Sequence, residues 1–213
     1  MAAVDPSPAP RRSRRSGPRP AGDVSTAVLE AAERLLAETS LEDLTVADVI
    51  AAAGVSRASF YFYFESKHAV LAALLGRVIG ELHAAADPWF EGTSRHPDAL
   101  REGLAGSVAV WRRHGPVLRA GAEAWRSDPE VGRLWAGFVE EFVRAAAKRI
   151  DADRRAGLAP AGGPDPEALA AALVWMNERC FYVASIEAEP ALAGDERLVE
   201  ALHTAWHRAI YVT

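Results

Sequence analysis

The chain has 213 residues, 50% of them apolar and 25% charged, with a net charge of -5, the balance of a soluble globular protein of one or two domains. A single cysteine, Cys180, excludes an intrachain disulfide framework and any cysteine-rich zinc or iron–sulfur site. No charge-free apolar run reaches the ~18 residues of a membrane span, and no apolar stretch follows the N-terminal arginines as a secretory signal requires.

The 44 alanines against five isoleucines favour helix over sheet. Residues 1–22 stand apart, with five prolines, five arginines and Asp5 as the one acid. Such a segment buries too little apolar surface to offset its ordering entropy, and a disordered basic arm is expected. Val28, Leu29, Ala32, Leu35 and Leu36 then mark one face of a helix over about 25–38. Thr45 and Asp48 have capping-box spacing and open a short helix to about Ala52. Ala53, Gly54 and Val55 make a tight break, after which Ser56 caps a second short helix to about Phe62. Ser66 caps a longer helix, expected to stop before Pro88.

The remainder also reads as helix. Predicted helices run from Asp98 to about Arg113, from Pro116 to about Arg126, and from Ser127 to near Gly157. A Gly/Pro/Ala-rich loop follows. Asp165 and Pro166 restart a strongly apolar helix that ends by Pro190, and a last helix spans about 195–210. The prediction is all-α, with nine helices and no strand.

Two short helices joined by a glycine turn, behind an amphipathic first helix, have the form of a helix-turn-helix. In the second, Arg57 suits guanine, Ser59 most bases and Ala58 a thymine methyl, while Tyr61, Tyr63 and Lys67 suit phosphates. The five consecutive aromatics Phe60 to Phe64 cannot all be core on one short helix. An ordinary core hairpin of helices fits the spacing equally well.

The stretch AGVSRASFYFYFESKHAVL at residues 53–71 resembles the signature of the tetracycline-repressor (TetR) family, with Gly54, Val55, Ser56, Tyr61, Phe64, Ser66 and Lys67 on the pattern. Similarity to one repressor of that family continues through VLRAG at 117–121, MNER at 176–179 and Trp206 to Tyr211. The resemblance implies a homodimer that binds a near-palindromic double-stranded DNA operator and represses until a small molecule occupies the C-terminal domain. It divides the chain into the arm at 1–22, a DNA-binding domain at 23–70 and a ligand-binding and dimerisation domain at 71–213. It places Thr45, Ala47, Arg57, Ala58, Ser59, Tyr61, Tyr63 and Lys67 at the DNA, though relatives carry a longer polar side chain where Ala47 stands. Between Asp23 and Lys67 eight acids face three bases, so the arm is expected to supply phosphate contacts, with an inert tail as the alternative.

All six tryptophans fall after this module. Asn177, the only side-chain carboxamide in the chain, sits on the apolar helix and needs a partner there. The resemblance implies a lipophilic effector in a channel lined by Trp111, Trp135, Val139, Phe142, Asn177 and Trp206, with Val174 replacing a second polar position. Glu178 and Arg179 are given no ligand role. The helix over 165–189 is apolar on more than one side, so one face is expected at the cavity and another at a symmetry mate. His203 and His207, four apart on the last helix, offer half a metal site, and a metal sensor is one alternative. An architectural DNA binder with a filled core is another. The chain shows no P-loop, dinucleotide glycine fingerprint or nucleophile elbow, so no cofactor and no enzymatic activity are expected. A cytoplasmic protein is expected.

Overall fold

The computed structural model describes residues 21–91 and 97–212; the arm expected at 1–22 lies almost wholly outside them. The described residues form eight α-helices and no strand. They are α1 (Ala21–Leu36), α2 (Val46–Ala53), α3 (Arg57–Tyr63), α4 (Lys67–Phe90), α5 (Pro97–Ala124), α6 (Pro129–Arg155), α7 (Pro166–Ser185) and α8 (Asp195–Tyr211), with a 3-10 turn at Pro190–Leu192. Helices α2 and α3 pack on α1, which in turn packs on α4, and α4 to α8 form the rest of the described residues.

The two helices expected over 98–126 are joined. They run together as α5, broken at His114, whose φ of -113° and ψ of 21° are not helical. The cause lies two residues on. Pro116 has no N–H for the Arg112 carbonyl, and its ring crowds the preceding turn. Counted by straight pieces the described residues have nine α-helices; counted by continuous backbone they have eight.

Helix α4 also outruns its expected end and carries Pro88 inside it. A proline in a helix costs about 3 kcal/mol. Continuation keeps Trp89 buried at 5% exposure and packs Phe90 on the core. Burying two aromatic side chains contributes on the order of 1.5–3 kcal/mol each, which outweighs the lost bond. By length and composition α4 could cross a membrane. Its apolar residues instead meet α1, α5 and α6, with Val70, Leu71, Leu75 and Val78 all buried.

Close packing at the middle of α4 depends on Gly121. A Cβ there would stand 2.8 Å from both Leu75 Cδ2 and Trp135 Cζ3, inside any tolerable contact. The far end of the bundle closes on a polar network. Tyr211 Oη donates to Asp153 Oδ2 at 2.7 Å, Arg149 Nε donates to the same oxygen at 3.0 Å, and Arg149 also donates to the Trp89 carbonyl at 3.2 Å. Asp153 is 4% exposed, so these donors are what make its burial tolerable.

Candidate functional site

The first site is the α2–α3 pair. Thr45 caps α2 in a full capping box. Its Oγ1 accepts from Asp48 N at 3.2 Å and donates to Asp48 Oδ2 at 2.5 Å, while Thr45 N donates to Asp48 Oδ2 at 3.0 Å. The Thr45 hydroxyl and amide hold the Asp48 carboxyl below the usual carboxylate range. Helix α2 ends on Gly54 at φ 63° and ψ 35°, where glycine carries the left-handed turn without a Cβ penalty. Ser56 then caps α3, accepting from Ser59 N at 3.0 Å.

Helix α3 is seven residues long and its sides differ sharply. Phe60 is fully buried, and Phe64 just beyond it is buried too. Arg57, Ala58 and Tyr61 face solvent, while Ser59 and Tyr63 are half-buried. The Arg57 guanidinium lies 5.4 Å from the centre of the Tyr61 ring. Phe62 is 81% exposed and its ring meets Tyr63 edge to face at 4.9 Å. It was not among the expected contact residues, although the run of five aromatics signalled that one of them must face outward. Thr45 and Ala47 are exposed at the start of α2.

Lys67 has a different setting from the one expected. Its ammonium donates to the carbonyls of Glu42 at 2.8 Å and Leu44 at 2.9 Å. It ties the loop before α2 to the first turn of α4. Two of its three protons are thereby used inside the protein.

The second site is an apolar cavity of about 70 Å³ enclosed by α4 to α8. Of the expected lining residues, Trp111, Val139, Phe142, Asn177 and Trp206 are all on its wall. Trp135 is not. It is fully buried between Gly121, Leu75 and Phe138 and belongs to the core behind the wall. Trp89, Phe90, Phe138 and Phe181 line the cavity without having been expected there, and Val174 is on the wall at the replaced polar position, as expected. Helix α4 supplies Leu82, Ala86, Trp89 and Phe90. Sequence pattern alone sorts aromatics onto helix faces, and only the packing tells core from cavity.

The wall has three polar side chains, Ser107, Asn177 and Glu178. Ser107 donates to the Gly103 carbonyl at 2.9 Å. Asn177 Oδ1 accepts from Trp206 Nε1 at 2.8 Å, so the lone carboxamide joins α7 to α8. Glu178 is 6% exposed, and its Oε2 has no hydrogen-bond partner. On α8 the His203 and His207 rings lie 5.8 Å apart. Among the described residues no group of three or more His, Cys, Asp or Glu could hold a metal ion.

Side chains also tie α5 to α1 and α4. His114, at the break in α5, has Nδ1 2.7 Å from Glu33 Oε1 on α1 and Nε2 3.3 Å from Glu81 Oε1 on α4. Arg113 also donates to Glu81, at 2.8 Å.

Residues 28–74 match the family described as "Bacterial regulatory proteins, tetR family", and residues 100–212 match "Transcriptional regulator EthR, C-terminal domain". The chain belongs to the TetR family. This TetR-family regulator is 37% identical over 204 residues to the HTH-type transcriptional regulator EthR of Mycolicibacterium smegmatis, spanning 95% of this chain and 93% of that protein. It is 38% identical to the EthR of Mycobacterium tuberculosis, over 94% of this chain and 93% of the other. Both relatives are named as regulators of transcription, not as enzymes. Solved TetR-family structures share the fold at lower identity. One from Syntrophomonas wolfei has a TM-score of 0.72 at 14% identity, covering 90% of this chain and 97% of its own. One from Rhodobacter sphaeroides has a TM-score of 0.67 at 23% identity, covering 87% and 98%.

Proposed function

We propose that this regulator is a repressor that binds a near-palindromic operator as a homodimer and leaves it when a lipophilic small molecule occupies the cavity. The observation that carries this reading is the course of α4. Its first turn is tied through Lys67 to the loop before α2, and its last turns form part of the cavity wall. A cavity of about 70 Å³ is smaller than the roughly 300–1,000 Å³ of ordinary ligand pockets, so a ligand must push its walls apart. Helix α4 is a rigid path for that displacement, and His114 couples it to α1.

At the DNA, Arg57, Ala58, Ser59, Tyr61 and Tyr63 carry the contacts, with Thr45 and Ala47 at the near end of α2. Phe62, the most outward of the five aromatics, supports an apolar base contact such as a thymine methyl. Lys67 acts as a brace rather than as a phosphate ligand. The arm at 1–22 supplies positive charge that the folded module lacks.

The dimer face is the outer stripe of α7 with α8. Trp175, Arg179, Tyr182 and Ile186 follow one another at helical spacing, with Trp175 39% and Ile186 43% exposed. A neighbouring face carries Val174, Asn177, Glu178 and Phe181 to the cavity. Two copies joined there would present paired recognition helices about 34–36 Å apart or a multiple of that.

A footprint on the DNA flanking the protein's own gene, repeated while lipophilic compounds are titrated, tests the reading. The expected result is a protected palindrome released by at least one compound. Absence of any protected site at low salt overturns it.

A further inference from the structure

The cavity is almost wholly apolar, yet one buried carboxylate oxygen stands in its wall without a hydrogen-bond partner. Glu178 lies on the cavity face of α7, one turn from Val174 and beside Asn177. Its polar neighbours on that wall make no hydrogen bond to it: the Ser107 proton is given to the Gly103 carbonyl, and Asn177, whose Oδ1 accepts from Trp206 Nε1, donates none to Glu178 Oε2. The nearest cation is Arg179, whose Nη2 is 3.7 Å from Glu178 Oε2, beyond hydrogen-bond reach. That guanidinium lies instead over the Tyr182 ring, 5.0 Å from its centre, on the outer side of the helix. A buried acceptor with no donor is costly, and a buried anion more so, unless something in the site supplies the missing proton and charge.

We propose that the cavity takes a lipophilic amine, its ammonium donating to Glu178 Oε2 and its apolar body lying among Trp89, Trp111, Phe138 and Phe181. The inference rests on the effector reading above and adds the class of effector. Two features favour an ammonium over a neutral donor. Its charge compensates that of the carboxylate in a low-dielectric wall. Aromatic residues line the cavity, and the face of an aromatic ring attracts a cation where it would repel an anion. Burial pushes the Glu178 carboxyl up, with the Arg179 guanidinium drawing it back in part, which is the state an incoming ammonium relieves. The same geometry selects against fatty acids and other carboxylates, whose charge repeats that of Glu178.

The test uses the full chain with three probes of one shape, phenylpropylamine, phenylpropanol and phenylpropanoate, in thermal-shift and calorimetric titrations. The amine is expected to bind at least about tenfold more tightly than the alcohol, with the carboxylate weakest, as a charge-assisted bond implies. In Glu178→Gln and Glu178→Leu the amine should lose that advantage while the alcohol binds as before. Both variants should melt no lower than the parent, because they remove a buried charge that has no hydrogen bond and only a loose ion pair with Arg179. If the alcohol binds as well as the amine in the parent, or the amine keeps its preference in both variants, the amine inference falls and the cavity stands as an apolar effector site. If none of the three probes binds, both readings fall together.

Discussion

At the residue scale, two side chains have settings that change what their substitution should do. Lys67 would act at phosphates if it faced outward, but it braces two backbone carbonyls. Lys67→Met should therefore lower stability by about 1–3 kcal/mol in denaturant unfolding. A phosphate ligand would instead leave stability unchanged and reduce the salt slope of operator binding by about one. Asn177 was legible as a buried amide in need of a partner, and the partner is the Trp206 indole at 2.8 Å. Asn177→Leu should leave that N–H unpaired and cost roughly 1–3 kcal/mol, seen as a lower denaturant midpoint. It should also blunt the response to effector while operator affinity at low temperature holds. Full effector response in a leucine variant would remove Asn177 from the coupling path.

At the element scale, helix starts were more legible than helix ends. Thr45, Ser56 and Ser66 each cap the helix that begins after them, because capping is a local bond between near neighbours. Ends depend on what lies beyond. Helix α4 continues through Pro88 because Trp89 is buried there, and α7 stops at Ser185, short of Pro190. That stop is a left-handed turn. Glu187 has φ 54°, with Ala188 N donating to the Val183 carbonyl at 3.0 Å and Glu187 N to that of Ala184 at 3.3 Å. Glycine is the usual residue there, so Glu187→Gly should stabilise the fold by about 0.5–1 kcal/mol, read as a raised melting temperature. The end of α8 carries a pH signature. Burial, and then the bond to the Asp153 carboxylate, push the Tyr211 phenol up to about 12 from an ordinary value of 10.0. The unfolded chain then loses this proton at lower pH than the native one. The stability Tyr211 contributes is fully present below pH 10 and is lost as pH rises toward 12. Alkaline unfolding curves should show a shallower fall in Tyr211→Phe than in the parent.

At the scale of the whole molecule, the proposed release from DNA depends on a wall that can move. Shifting a dimer from 99% to 1% operator-competent takes about 5.5 kcal/mol of differential binding, within reach of an apolar ligand that fits one shape of the cavity. Filling the space in advance should remove that lever. Val174→Phe, on the wall beside Glu178, is expected to keep operator binding and to abolish both thermal stabilisation and release by any compound that acts on the parent. Continued release would place the effector elsewhere.

The all-helical fold, the helix-turn-helix and the apolar face of each helix follow from local pattern, since caps, turns and 3.6-residue periodicity are decided within a few residues. The break at His114, the brace at Lys67 and the division of tryptophans between core and cavity do not. Trp135 and Trp206 look alike along the chain, yet one lies behind the cavity wall and the other on it. That difference arises from how five helices close around a space, with Gly121 setting how near α5 comes to α4 and α6. Which buried carboxylate is left without a donor is likewise settled only once every neighbouring proton has been assigned in three dimensions.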